Sequence, residues 1–177
     1  ADFSMLPAVA FDEVKVHAGG GSALFGSGAM GGSVLLSSTG SQRNPISVSQ
    51  EFGSFGRYFT SLKTSFALGK WSSSSAFYHL QAKNDFPVQE TGQRQSHAAF
   101  LQRGFVQRFE LDIPNAKKLK LDYWYHDADR EIQPTIGNTT NMDEQSDQNH
   151  RLSLSYEQNN ELGLLSLGGG IVNDRII

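Results

Sequence analysis

From residue 44 onward every second side chain is apolar or aromatic, over stretches too long for an ordinary soluble strand. Leu119, Leu121, Tyr123 and Tyr125 stand against Lys118, Lys120, Asp122, Trp124 and His126. The same rhythm sets Leu152, Leu154 and Tyr156 against Arg151, Ser153, Ser155 and Glu157. Between residues 57 and 68, Tyr58, Leu62, Phe66 and Leu68 share one side with Thr60 and Thr64, while Arg57, Ser61, Lys63 and Ser65 share the other; Phe59 and Ala67 break the pattern. A repeat of two places side chains on alternate faces, which is the geometry of a β-strand and of no helix. Strands are predicted near residues 46–52, 57–68, 71–83, 98–112, 117–127, 149–158 and 162–173. Most run to about ten residues, the length of a tilted membrane-crossing strand, where soluble strands average about five or six.

The connections alternate in length. Short turns at Gly69-Lys70, residues 113–117 and residues 159–163 are interleaved with long polar loops at 84–97 and 127–149. In an up-and-down sheet, alternate connections lie at one end, so the short turns gather at one edge and the long loops at the other. Transmembrane β-barrels have that asymmetry. Residues 53–56 are a short connection on the long-loop side, the one departure from the rule. A Lys or Arg facing lipid at mid-bilayer costs about 2–4 kcal/mol, so Lys63, Lys120 and Asp122 are expected to face inward and Leu121 and Tyr123 outward. A soluble β-sandwich with one wet face also alternates, and stays open as a second architecture. Either way the predicted class is all-β.

Composition narrows the function. A net charge of -3 with 19% charged residues gives no basic surface for nucleic acid. The absence of cysteine removes disulfide frameworks and thiolate metal sites. The mean hydropathy of -0.39 has the value of a soluble protein, but averaging hides a barrel whose lipid-facing and lumen-facing residues alternate. The first residues carry no basic segment followed by an apolar one, the pattern of a secretory leader.

Residues 17–39 are dense in glycine, and Gly26, Gly28 and Gly31 spell the G-x-G-x-x-G dinucleotide fingerprint with Glu51 downstream. That fingerprint needs a strand running into the first glycine and a helix starting at the last, since the helix N-terminus holds the pyrophosphate. Neither flank fits: Gly19-Gly20-Gly21 lies just upstream, and Val34 and its neighbours downstream have the composition of a strand. The expected local structure is a short strand around Val14–His17, one helical turn at 22–26 and a strand over 31–38, with glycines where the chain changes direction.

The run Ser22-Ala23-Leu24-Phe25-Gly26-Ser27-Gly28-Ala29-Met30-Gly31-Gly32, preceded by Asp12-Glu13-Val14-Lys15-Val16 and followed by a strand ending in Ser or Thr, resembles the C-terminal part of the plug domain of TonB-dependent outer-membrane receptors. Gly19, Gly20, Ser22, Leu24, Phe25, Gly26, Gly31 and Gly32 carry the match. The family pattern has Arg-Gly-Pro where Ala18-Gly19-Gly20 stands, and Tyr where Phe25 stands, so a plug-to-barrel ion pair at the lost arginine is not implied here. The resemblance covers residues 5–39. It implies residues 1–40 as the end of a plug and 41–177 as the first strands of a large barrel, hence a fragment that lacks the export leader and the energiser-contacting segment. Such a fragment, alone in water, is expected to aggregate or to need detergent. The implied activity is energised uptake across the outer membrane of a Gram-negative bacterium, with an inner-membrane TonB-type energiser and outer-membrane lipid as partners. The ligand would be a small molecule or metal chelate such as an iron chelate or cobalamin; no cofactor and no catalysis are implied. A passive porin and a nucleotide-binding enzyme are the further alternatives.

On that reading Arg94, His97, Arg130 and Gln133 are candidate ligand contacts at the loop rim. Asp127, Asp129 and Glu131, with Asp143, Glu144 and Asp147 beyond, form a carboxylate-rich stretch that raises calcium as a weaker possibility, although Ile132 stands where an EF-hand loop needs glycine. A solvated loop is the simpler expectation. The five histidines are scattered, and none has metal-site spacing.

Overall fold

The computed structural model describes residues 8–21, 31–37, 46–88, 92–134, 142–161 and 163–177. The chain is all-β and antiparallel. A short 3-10 turn at Ala8–Ala10 leads into β1 (Glu13–Ala18), which pairs with β2 (Gly32–Ser37). A second sheet follows as an unbroken meander: β3 (Ile46–Phe52), β4 (Tyr58–Leu68), β5 (Trp71–Ala82), β6 (Phe100–Ile113), β7 (Lys117–Glu131), β8 (Glu144–Asn160) and β9 (Gly163–Ile176). Each strand pairs with its sequence neighbour, so β3 and β9 are left as edges.

The chain reverses where left-handed backbone is available. Gly69 at φ 61° turns β4 into β5, and Asn115 and Ala116 at φ 66° and 54° turn β6 into β7. Both conformations fit the two- and three-residue hairpin geometries that match strand twist. In the N-terminal pair, Gly32 lies opposite Ala18, and a β-carbon placed on it would come 2.7 Å from the backbone oxygen of His17. Glycine is required there by close approach of two backbones.

The segment after Gly31 is therefore a strand, antiparallel to β1. No helix N-terminus is available at Gly31 or Gly32 to receive a pyrophosphate. Ser22, Leu24, Phe25, Gly26 and Gly28, on which much of the glycine-rich match rests, lie outside the described residues.

The seven-stranded sheet has two unlike faces, and the ladder fixes which residues share them. One face carries Val48, Leu62, Phe77, Phe105, Tyr125 and His150 in one register row, and Leu68, Trp71, Leu111, Leu119, Tyr156 and Leu167 in another. It is exposed: Val48 is 69% accessible, Phe66 61% and Leu167 59%. The other face carries Lys63, Arg108, Lys120, Asp122, Arg130 and Arg151 among small residues. Lys63, Lys120 and Asp122 thus lie on one face and Leu121 and Tyr123 on the opposite one, the division read from the sequence.

The apolar stretch shifts along the ladder from strand to strand. Its midpoint on β3, between Val48 and Gln50, is carried by the pairing to Thr60 and Leu62 on β4; its midpoint on β9, between Leu167 and Gly169, is carried through five strands to Phe66 and Leu68. The band therefore drifts by about six residues over six strand-to-strand steps. At a rise of about 3.3 Å per residue and a strand spacing of about 4.8 Å, a level apolar band requires strands tilted by about 35°.

The second long connection is shorter than predicted, because β7 continues to Glu131 and β8 begins at Glu144, while the first, between Ala82 and Phe100, is slightly longer than 84–97. Asp127, Asp129, Arg130 and Glu131 are strand residues rather than loop residues. Beyond Tyr125 both faces turn polar, so alternation fades from the sequence while backbone pairing continues.

Candidate functional site

The polar face is built from cross-strand ion pairs. Arg108 Nε donates to Asp122 at 2.5 Å and Lys120 Nζ to Glu157 at 2.8 Å; Lys118 lies 3.4 Å from Glu110 and 3.5 Å from Asp112. Arg57 pairs with Glu51 at 3.0 Å, and Arg130 with Asp147. Antiparallel pairing brings Arg108 directly opposite Asp122, so register creates this contact. Lys63, also on this face, pairs with Asp12, which precedes β1, and the Ala8–Ala10 turn packs against β4 and β5. The Ala8–Ala10 turn and Asp12 are thus seated on the charged face, and among the described residues none covers the apolar one. Within that element Lys15 donates to Glu13 and holds its carboxyl below the ordinary carboxylate range.

In the half of the sheet nearer the long connections, the polar face carries an interlocked aromatic group. Tyr78 lies opposite Gly104, which lies opposite His126. The Tyr78 ring crosses the space above Gly104, where a β-carbon would come within 2.6 Å of its Cε1, and its hydroxyl reaches His126 Nδ1 at 2.5 Å. The two rings stack at 27°. His126 is 1% accessible. With the Tyr78 hydroxyl donating to Nδ1, the neutral imidazole carries its proton on Nε2, which has no partner among the described residues. The Trp124 indole N–H, one register row away, is buried beside the Tyr78 hydroxyl without hydrogen-bond alignment and is likewise unpaired. Arg151 lies across from Trp124, its guanidinium carbon 4.7 Å from the ring centre.

The rim candidates are not gathered into one cluster. Arg94 lies in the β5–β6 connection, where it donates to the carboxylate and carbonyl of Asp85. His97 is an internal fastener: its side chain is 9% exposed, and Nε2 donates to the Asp143 carbonyl at 2.8 Å while Nδ1 lies 3.8 Å from Glu131. That ties the β5–β6 connection to the β7–β8 connection. Arg130 is a strand residue on the charged face, committed to Asp147, so it is no loop contact. Gln133 is exposed in the β7–β8 connection.

The calcium candidates are not gathered into a ligand set. Asp127, Asp129 and Glu131 alternate along a strand, where like-facing residues are about 7 Å apart. Asp127 is taken up by Arg103 at 2.6 Å and Gln148 at 3.2 Å, and Glu131 accepts the Ala99 N–H at 2.7 Å. Among the described residues no group of three His, Asp or Glu side chains is arranged to hold a metal ion.

A cavity of about 630 Å³ opens where β5 to β8 approach the long connections. Gln81, Leu101, Asp129, Glu131, Glu144 and Ser146 line it. These six sit on the apolar side of the sheet by register, while Ala82, Phe100, Arg130 and Gln145, which also line the cavity, belong to the charged side, so it opens at the sheet end where both faces are polar.

Sequence reasoning missed Tyr78, Gly104 and Arg151 as a group, since their proximity depends on register across four strands. The isolated Gly104 inside an alternating strand was the available signal, because glycine within a strand marks close approach of another group. The sequence matches no protein-family model and no curated protein, so the functional reading rests on these residues and their geometry.

Proposed function

We propose that the seven-stranded sheet is part of the wall of an outer-membrane β-barrel and that the N-terminal element belongs to a plug within it, in a receptor of the TonB-dependent kind for energised uptake of a scarce ligand. The observation that carries this reading is the division of the sheet. One face is an exposed apolar band, and the opposite face holds the ion pairs and seats the N-terminal element through Asp12 and Lys63. A soluble sandwich would cover its apolar face with a second sheet; here Asp12, which leads into β1, is held on the other side by Lys63. The 35° tilt required to level the band meets the lower end of the range of about 35–45° for membrane barrels. Edges as long as β9, which is exposed along its length, call for a partner strand. The ion-paired wall requires no catalytic chemistry, and the reading is of a transporter rather than an enzyme.

The test compares liposome association of the protein, Leu121→Arg and Ser153→Arg. Leu121 is on the apolar face and Ser153 on the charged one. Wild type and Ser153→Arg should float with the vesicles, while Leu121→Arg should lose insertion by about 2–4 kcal/mol. Three water-soluble, detergent-independent monomers would overturn the membrane assignment. Uptake into cells that persists after the inner-membrane energiser is removed would leave a passive channel instead. Truncating the 132–143 connection should weaken ligand binding with the sheet intact.

A further inference from the structure

Among the described cations of the charged face, Arg151 alone has no carboxylate partner; the pairs described above account for the others. It is exposed and stacked on Trp124 instead. A guanidinium held over an aromatic ring by cation–π attraction still has N–H groups to donate, and its fork matches a carboxylate or phosphate. In the same part of this face Trp124 Nε1, beside the Tyr78 hydroxyl, and His126 Nε2 are buried without an aligned hydrogen-bond partner among the described residues. The neighbouring acids are occupied: Asp122 by Arg108, and Asp147 by Arg130 and Gln145. Asp174 on β9 lies opposite Asn149, two residues along from the partner of Arg151, and forms no ion pair with it.

We propose that the Arg151–Trp124 stack is an oxyanion-binding point, taking a carboxylate or phosphate group of a ligand on the charged face. The proposal rests on the reading of that face as the ligand-facing wall, and deepens it by naming the ligand as anionic. Arg151 supplies the two-pronged contact and Trp124 holds its plane. Contact with the Trp124 ring restricts the side chain, so less freedom is lost when an anion binds.

Trp71 and Trp124 are the two tryptophans of the chain, and Trp71 is on the opposite face. In a Trp71→Phe background the emission of Trp124 reports the stack directly. Titration in detergent micelles with citrate and, separately, with inorganic phosphate at constant ionic strength should give a saturable change with at least one of them. The tighter of the two identifies the oxyanion class. Arg151→Gln should weaken that response about tenfold or more, with Arg151→Lys between, since it keeps the charge and loses the fork. Asp174→Asn should tighten it a few-fold. Circular dichroism of each variant establishes that the strands are retained. A flat or non-saturating titration with both anions, or an unchanged response in Arg151→Gln, overturns the proposal. Vesicle flotation with a flat titration removes the anion site and leaves the membrane reading standing; saturation without flotation does the reverse.

Discussion

Gly104 offers a sharp perturbation because its neighbour leaves no room for a methyl group. A β-carbon at this position falls within 2.6 Å of Tyr78 Cε1 and closer still to the hydroxyl, so Gly104→Ala must push the ring off its seat. The displaced hydroxyl loses the 2.5 Å contact with His126, about 0.5–1.5 kcal/mol for a typical hydrogen bond. The stacked ring pair loses about 0.5–1.5 kcal/mol more. Against this, replacing glycine within a strand regains about 0.5–1 kcal/mol of backbone entropy. The net expectation is a destabilisation of about 1–2 kcal/mol, read from urea unfolding of the protein in micelles. The decisive measurement is the same substitution in a Tyr78→Ala background. With the ring absent only the entropy term remains, so Gly104→Ala should stabilise by about 0.5–1 kcal/mol, and the sign reverses. Equal effects in both backgrounds would refute the interlock.

Three further perturbations probe other joints. Asp12→Asn or Lys63→Met should free the N-terminal element from the sheet, read as faster proteolysis before β1 with the meander intact; exchanging the two charges should restore resistance. Gly32→Ala should unpair β1 from β2, since the 2.7 Å approach to the His17 oxygen is backbone against backbone, and hydrogen exchange of β1 amides should rise at least tenfold. His97→Ala removes the link to the Asp143 carbonyl, and should raise protease sensitivity in 83–99 and 132–143 together; sensitivity in one connection alone would show that His97 does not couple them.

Strand positions and faces were legible because one face is apolar, and a single polarity contrast locates every second residue. Predicted strands such as 46–52 and 57–68 fall within a residue of β3 and β4. The ends of β7 and β8 were not legible for the same reason. From Asp127 to Glu131 and from Glu144 to Gln148 few residues on either face are apolar, so pairing goes on where the contrast ends. That placed Asp127, Asp129, Arg130 and Glu131 in a loop and made them look like rim or calcium ligands. The glycine-rich segment was legible in what it excluded, since the strand-forming residues after Gly32 ruled out a helix. The Arg151 stack could not be read, because identifying an unpaired cation requires knowing which carboxylates the register assigns to all the others.

The drift of the apolar band by about one residue per strand gives the sheet a modular grammar. Removing or duplicating a single strand reverses chain direction for everything that follows and exchanges the two ends. Removing or duplicating a hairpin preserves direction and moves the band by about two residues, an even number, so no side chain changes sides. A wall with this stagger can gain or lose circumference two strands at a time, and insertions inside a strand are tolerated only in even steps. Sequence length between the turns is free to vary within that parity, while the inside and outside of the wall keep their chemistry.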